Sequence, residues 1–302
     1  MLVIHKAYGK GYADEPYIDN GFTLIKVHFN NKAIVFSYPK VFKEKILVQI
    51  PEKIDINKNT LQSVDLLNSK LLPIIFDYIA DFNEKKNNEF VVKNSIPIIW
   101  FGDINKYLQS KRKILTIGLN PSDKEFSEPR FKPIDFNKPD NDIVNHLIET
   151  LNNYFSFNPY KWFNQFEKLL NFFDCSYKPL YTYQAIHIDF FSSIATTPTW
   201  GNLDDYQKNQ LKNIELFFKL YHILDPDLSL ISISKTIFER CFKDWTKIDS
   251  KQFNSRNSVS IYTKNNKFII NGTNGHGKPF GCIKEKDLES FLVNLNFNGR
   301  RL

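Results

Sequence analysis

The chain has 302 residues, 42% hydrophobic and 15% aromatic with 28 phenylalanines, which is enough apolar surface to build folded cores and excludes a disordered chain. Lysine and arginine total 40 against 33 aspartates and glutamates, giving a formal charge of +7 and an isoelectric point near 9.0; this excess permits nucleic-acid binding and equally suits a solubilising surface. The absence of an uninterrupted apolar run of about 18 residues, of a signal-peptide pattern and of paired cysteine spacing argues against a membrane span, a secreted disulfide framework and an iron–sulfur site, so a cytoplasmic location is expected.

Taken in chain order, residues 1 to 50 read as short strands punctuated by turns. Gly9 and Gly11 in LVIHKAYGKGYA mark a bend, FTLIKVHF and KAIVFSYP alternate apolar with polar residues, and Asn30 and Asn31 supply a turn between them. The order HKAYGKG, strand, turn, strand, YPKVF resembles the SH3-like (Tudor-like or CarD-like) modules appended to nucleic-acid enzymes, which implies a small β-barrel with either a DNA or a protein contact. Residues 51 to 60, PEKIDINKNT, read as a linker. Residues 61 to 82 carry apolar residues at helical spacing, interrupted by Pro73, which predicts a helix with a break or kink.

From residue 113 the pattern changes to four β-rich apolar runs, KILTIGLN (113–120), QAIHIDFF (184–191), LSLISIS (228–234) and KFIING (267–272), separated by helical segments. Such alternation predicts an α/β domain built on a four-stranded, mainly parallel sheet. PYKWFNQFEKLLNFF reads as one intervening helix, with Trp162 expected in the core, and residues 202 to 224 as one long helix capped by Asn202 or Asp204. In open parallel sheets ligands bind beyond the carboxyl ends of the strands, so the residues that follow each run are the candidate site. These are Asn120, Pro121 and Ser122 after the first run, His187, Asp189, Ser192 and Ser193 at the second, and GTNGHGKPFG after the fourth. No GxGxxG, P-loop, HExxH, paired Cys/His or GxSxG pattern supports a dinucleotide, phosphate-loop, zinc or serine-hydrolase site.

TIGLNPS resembles the first motif of the uracil-DNA glycosylase superfamily, particularly its mismatch-specific and single-strand-selective branches, in which Gly, a hydrophobic residue, Asn and Pro follow in this order. HIDF occupies the place of that family's pyrimidine-reading residue, and NGHGKPFG that of its DNA-insertion loop; the likeness runs over residues 95 to 295. It implies a three-layer glycosylase-like domain over residues 61 to 302 and a monofunctional, monomeric DNA glycosylase that flips a base and cleaves its N-glycosidic bond without cofactor or metal. Asn120 would orient the attacking water, or else cap its turn, while Gly118, Leu119, Pro121 and Ser122 would surround the substrate. His276 would donate to the base carbonyl, or be an exposed loop residue. Phe131 would stack on the extruded base or sit in the core, and Lys278 and Phe280 would contact DNA, Phe280 as a wedge.

Asp189 stands where uracil readers carry asparagine. A carboxylate accepts hydrogen bonds but repels uracil O4, whereas it can accept from the N4 amine of cytosine or the N1–H and N2–H of a guanine-like base. The expected substrate is therefore a damaged or modified base other than simple uracil, in repair or in attack on modified phage DNA. Capping of a helix or pairing with a lysine is the alternative for Asp189. At the level of the whole chain, the alternative is a catalytically silent nucleic-acid-binding or sensing protein on the same fold.

Overall fold

The computed structural model describes residues 2–5, 9–29, 32–38, 40–44, 47–49, 70–127, 130–131, 134–137, 139–156, 159–179, 181–273, 278–281, 283–293, 296–297 and 300–301. The chain divides into two compact units, residues 1–61 and 62–302. The expected linker, 51 to 60, lies outside the described residues.

The first unit is an antiparallel sheet of β1 (Leu2–His5), β2 (Gly9–Ala13), β3 (Tyr17–Asp19), β4 (Phe22–Phe29), β5 (Lys32–Ser37) and β6 (Leu47–Gln49), with a short helix α1 (Lys40–Lys43). β4 pairs with β2, β3 and β5, and β1 pairs with β2 and β6. The period-2 pattern of β4 buries Ile25, Val27 and Phe29 and exposes Lys26 and His28, which sets the inner face. Asn20 and Gly21, both at positive φ, close the β3–β4 hairpin with the twist that a two-residue loop demands. Gly9 and Gly11, expected at a bend, instead lie within β2, where Gly11 pairs with Val3 and Phe29. The turn expected at Asn30 and Asn31 lies outside the described residues.

The second unit is α/β. Helix α2 (Leu72–Lys85) begins where a kink was expected: Pro73 occupies its first turn, where a missing N–H costs nothing. The expected segment before it, 61 to 69, lies outside the described residues. There follow α3 (Ile104–Gln109), β7 (Ile114–Gly118), α4 (Asn141–Asn152), α5 (Asn164–Phe172), β8 (Cys175–Ser176), β9 (Tyr183–Gln184) and β10 (Ile186–Asp189). After these come α6 (Asp205–Leu211), α7 (Ile214–Leu224), β11 (Leu228–Ile231), α8 (Lys235–Cys241), β12 (Thr246–Gln252), β13 (Ser258–Lys264), β14 (Lys267–Gly272) and α9 (Glu285–Leu292). The single helix expected over 202 to 224 is two. α6 opens on a capping box of Asp204 and Gln207, and the chain breaks at Lys212 so that the Asn213 side chain caps α7 by accepting from Leu216 N–H.

The main sheet has the order β10-β7-β11-β14-β13-β12. β10, β7, β11 and β14 are parallel neighbours and correspond to the four apolar runs of the sequence. The sheet is nevertheless six-stranded, because β13 and β12 extend it antiparallel beyond β14. β7, β10 and β11 are buried along their whole length, whereas β12 is exposed throughout and carries Lys247, Asp249 and Lys251 with a bulge, features that blunt an edge strand. Asn265 and Asn266, again both at positive φ, join β13 to β14. Because β7 lies between β10 and β11, the chain runs from β7 to its neighbour on one side and then crosses from β10 to β11 on the other. That arrangement opens a crevice at the carboxyl ends of the strands.

The Phe280 ring lies on the backbone of Gly272, the last residue of β14, and edge-on to Phe166. A Cβ at Gly272 would overlap that ring. Gly272→Ala is therefore expected to destabilise the protein by about 1 to 3 kcal/mol, measured as a lower urea midpoint with an unchanged slope, through overpacking alone.

Candidate active site

Gly118, the last residue of β7, pairs in register with Asp189, the last of β10. A Cβ on Gly118 would stand 2.7 Å from Asp189 Oδ1 and 3.1 Å from His187 Nε2, so the missing side chain is what lets these two groups lie over the end of the neighbouring strand. The loop beyond is pinned to β10 and its extension: Gly118 and Leu119 carbonyls accept from Phe190 and Phe191 N–H at 3.1 and 2.9 Å.

Asn120 leaves the strand with its amide nitrogen committed to the protein. Nδ2 donates to Pro121 O at 2.7 Å, to the buried Thr196 Oγ1 at 3.0 Å and to Ile194 O at 3.5 Å. With this assignment the carbonyl end, Oδ1, is an oriented acceptor on a residue that lines the cleft. On the second strand, His187 Nε2 faces Asp189 Oδ1 at 3.5 Å and Nδ1 meets Thr116 Oγ1 at 2.8 Å, which in turn meets Tyr177 OH at 2.6 Å. The ring packs among Trp162, Phe163 and Phe166 at centroid distances of 5.6, 4.9 and 5.8 Å, perpendicular to the first two and tilted to the third. A polar chain thus runs from the protein interior to a carboxylate at the cleft floor.

A second carboxyl group shares the cleft. Glu125 ends a 3-10 turn, Asp123–Glu125, and is only 4% exposed. Its Oε2 accepts from the Tyr154 hydroxyl, which itself accepts from Tyr160 N–H at 3.1 Å and whose ring stacks on Phe101 at 3.7 Å. Burial drives the Glu125 pKa from an ordinary 4.5 up to about 7; the Tyr154 bond and the Arg130 charge oppose the rise, and the Asp189 charge adds to it. Burial likewise raises the pKa of the Tyr154 hydroxyl, which keeps it a donor.

The cleft encloses about 1140 Å³. Its floor carries Asn120, Glu125, His187 and Asp189, its walls include Tyr160, Trp162, Phe191 and Trp200, and its rim includes Lys124, Lys208, Lys212, Lys235, Arg240 and Arg256. Ile233 and Ser234, just past β11, and Thr273, just past β14, complete the strand-end edge. Among the described residues no cluster of three or more His, Cys, Asp or Glu is placed to hold a metal ion, and no helix is long and apolar enough to cross a membrane.

Of the residues singled out in the sequence, Leu119, Asn120, Pro121, Ser122 and Asp189 line this cleft and Gly118 lies beneath it. His276 lies outside the described residues. Lys278 is exposed. Phe131 takes its core alternative, and Phe280 is placed differently from the wedge that was expected. Phe131 does not line the cleft; its ring packs among Phe126, Phe101 and Tyr154 at 4.9, 6.3 and 6.1 Å. Phe280 is 5% exposed and seated on Gly272, whereas a wedge must project from the surface. Trp162, expected in the core, is half-buried and forms part of the wall. Sequence reasoning missed Glu125 altogether and gave His187 no role; their only signal was proximity to the strand ends, in NPSDKEF and HIDF.

Comparison with protein families, curated proteins and solved structures finds no match to this chain.

A raised carboxyl pKa makes stability depend on pH with a definite sign. Folded Glu125 holds its proton up to about pH 7, whereas in the unfolded chain it releases it near 4.5, so its stabilising contribution is full below pH 4.5 and is lost as pH rises through 7. Glu125→Gln, which keeps an acceptor for Tyr154, is expected to remove this loss. The variant should match wild type near pH 4 and exceed it by up to about 3 kcal/mol at pH 8, read from denaturant unfolding at both pH values.

Proposed function

We propose that the α/β unit is a monofunctional DNA glycosylase, which flips a modified base into the strand-end cleft and hydrolyses its N-glycosidic bond with water. Breaking that bond separates an anionic base from an oxocarbenium-like sugar, so the site must seat the departing base and hold a water beneath the sugar carbon. The observation that carries the reading is Asn120: its donor end is tied to Thr196 and the backbone, which leaves Oδ1 to accept from and orient a water in the cleft that Asp189 also lines. The aromatic walls suit a flipped base, and the cationic rim suits the phosphates on either side of it.

Asp189 bears on the substrate. With His187 Nε2 facing one of its oxygens, its carboxylate offers acceptors to the same cleft that Asn120 lines, which favours a base carrying amino or ring N–H donors, such as a modified cytosine or a guanine-like base, over uracil. Such a pocket suits attack on modified phage DNA as well as repair. Lys278 serves as a backbone contact. In the same proposal the N-terminal antiparallel sheet is an SH3-like barrel of the Tudor or CarD kind that contacts DNA or a protein, and the α/β unit has the three-layer architecture of the uracil-DNA glycosylase superfamily.

The test is base release from oligonucleotides carrying cytosine derivatives, guanine derivatives or uracil at one salt concentration, with Asn120→Ala alongside. Wild type should release an amino-bearing base and leave an abasic site, with uracil disfavoured at least about tenfold. Asn120→Ala should lower turnover by about a hundredfold, because water placement matters at the transition state, while oligonucleotide affinity changes only a few-fold. Tight binding with no base released from any member of the panel would instead favour the catalytically silent nucleic-acid-binding protein.

A further inference from the structure

Glu125 lies five residues beyond Asn120 in the same strand-end loop, and its position is fixed from several directions. Ser127 Oγ and Arg130 Nη1 donate to the Lys124 carbonyl, each at 2.9 Å, and Arg130 Nη1 reaches the Glu125 carbonyl at 3.3 Å. The parallel bridge between Ser122 and Thr196 ties the start of the same turn to the residue that anchors Asn120. The carboxyl group meets Tyr154 from the 3-10 turn that follows α4, and the charges of Arg130 from its own loop and Asp189 from β10. Among the described residues Oε1 has no protein donor, and the residue lines the cleft. A glutamate held this deep by a neutral phenol costs stability that a glutamine would not cost, and such groups concentrate where their proton is used.

We propose that Glu125 is the general base of the cleft, taking a proton from the water that Asn120 Oδ1 orients. This inference rests on the glycosylase reading above. As the water oxygen bonds to the sugar carbon, one of its protons passes to the Glu125 carboxylate. The carbon–nitrogen bond breaks with its electron pair remaining on the base. The proton on Glu125 then returns to the departing base, directly or through solvent, so that one water is consumed and an abasic sugar and a neutral free base are formed. The two carboxyl groups divide the work: Asp189, beside His187, reads the base, and Glu125 handles the water. A pKa near 7 lets Glu125 accept this proton and give it back at neutral pH.

The experiment is single-turnover base release, on the best substrate of the panel, from pH 5.5 to 8.5 by wild type, Glu125→Gln and Tyr154→Phe, with oligonucleotide affinity measured at each pH. The wild-type rate should rise about tenfold per pH unit below 7 and level off above it. Glu125→Gln should lose that limb and about a hundredfold or more in rate, with affinity changed only a few-fold. Tyr154→Phe, which removes a hydrogen bond that favours the carboxylate, should move the limb to higher pH. If wild type cleaves but Glu125→Gln keeps both rate and limb, or if the wild-type rate falls with pH through 7, Glu125 is not the base and the glycosylase reading stands. If wild type releases no base at all, the glycosylase reading itself fails, and this inference with it.

Discussion

Everything in the cleft depends on an atom that is missing. Without a Cβ on Gly118, the side chains at the end of β10 come over the end of β7, and Asp189 and His187 occupy volume that any other residue would claim. The two strands are parallel neighbours in a fully buried part of the sheet, so neither backbone can easily yield to relieve a clash. Tyr177, just past β8, Thr116 of β7 and His187 of β10 form a hydrogen-bonded row whose last ring nitrogen faces Asp189 at 3.5 Å. This row gives a buried imidazole defined partners on both ring nitrogens, which fixes where the carboxylate beyond it stands.

The cleft gathers charge of both signs in separate layers. Carboxyl groups sit at the floor, where burial and mutual repulsion raise the cost of ionising Glu125, while lysines and arginines ring the opening. A polyanion approaching the rim would bring phosphates to the cations and lower solvent access to the floor, which strengthens the electrostatic interactions there. On the proposed mechanism, the stability lost at Glu125 above neutral pH is the cost of a carboxyl group poised to exchange a proton, a trade common at sites that do chemistry.

The parts of the fold that could be read from the sequence are those fixed by local pattern. All four apolar runs are the parallel strands, because strands covered on both faces must be apolar along their length. β12 was not legible because an exposed edge strand of alternating lysine and aspartate carries no hydrophobic pattern, and β13 escaped with it. Pro73, read as an interruption, and Asn213, passed over inside a single long helix, both stand at helix starts, because a proline or asparagine inside a helical pattern marks a start as readily as an interruption. At the site, Asn120 and Asp189 could be found because topology places strand ends together. Glu125 could not, since its character comes from Tyr154, 29 residues along, and from burial that no local pattern encodes. Phe131 and Phe280 show the converse. In a chain with 28 phenylalanines, the destination of each ring is set by tertiary packing, here Tyr154 and Phe101 in one case and Gly272 in the other.

The most direct measurement of this account is base release and oligonucleotide affinity for Gly118→Ala beside wild type, with a crystal structure of the variant. The account predicts a folded protein whose Asp189 and His187 side chains are displaced, with affinity within a few-fold of wild type and base release lowered by about a hundredfold, as a misplacement near 1 Å at a reacting centre produces. A variant that folds, carries the extra methyl group and processes the same base at the wild-type rate would contradict it.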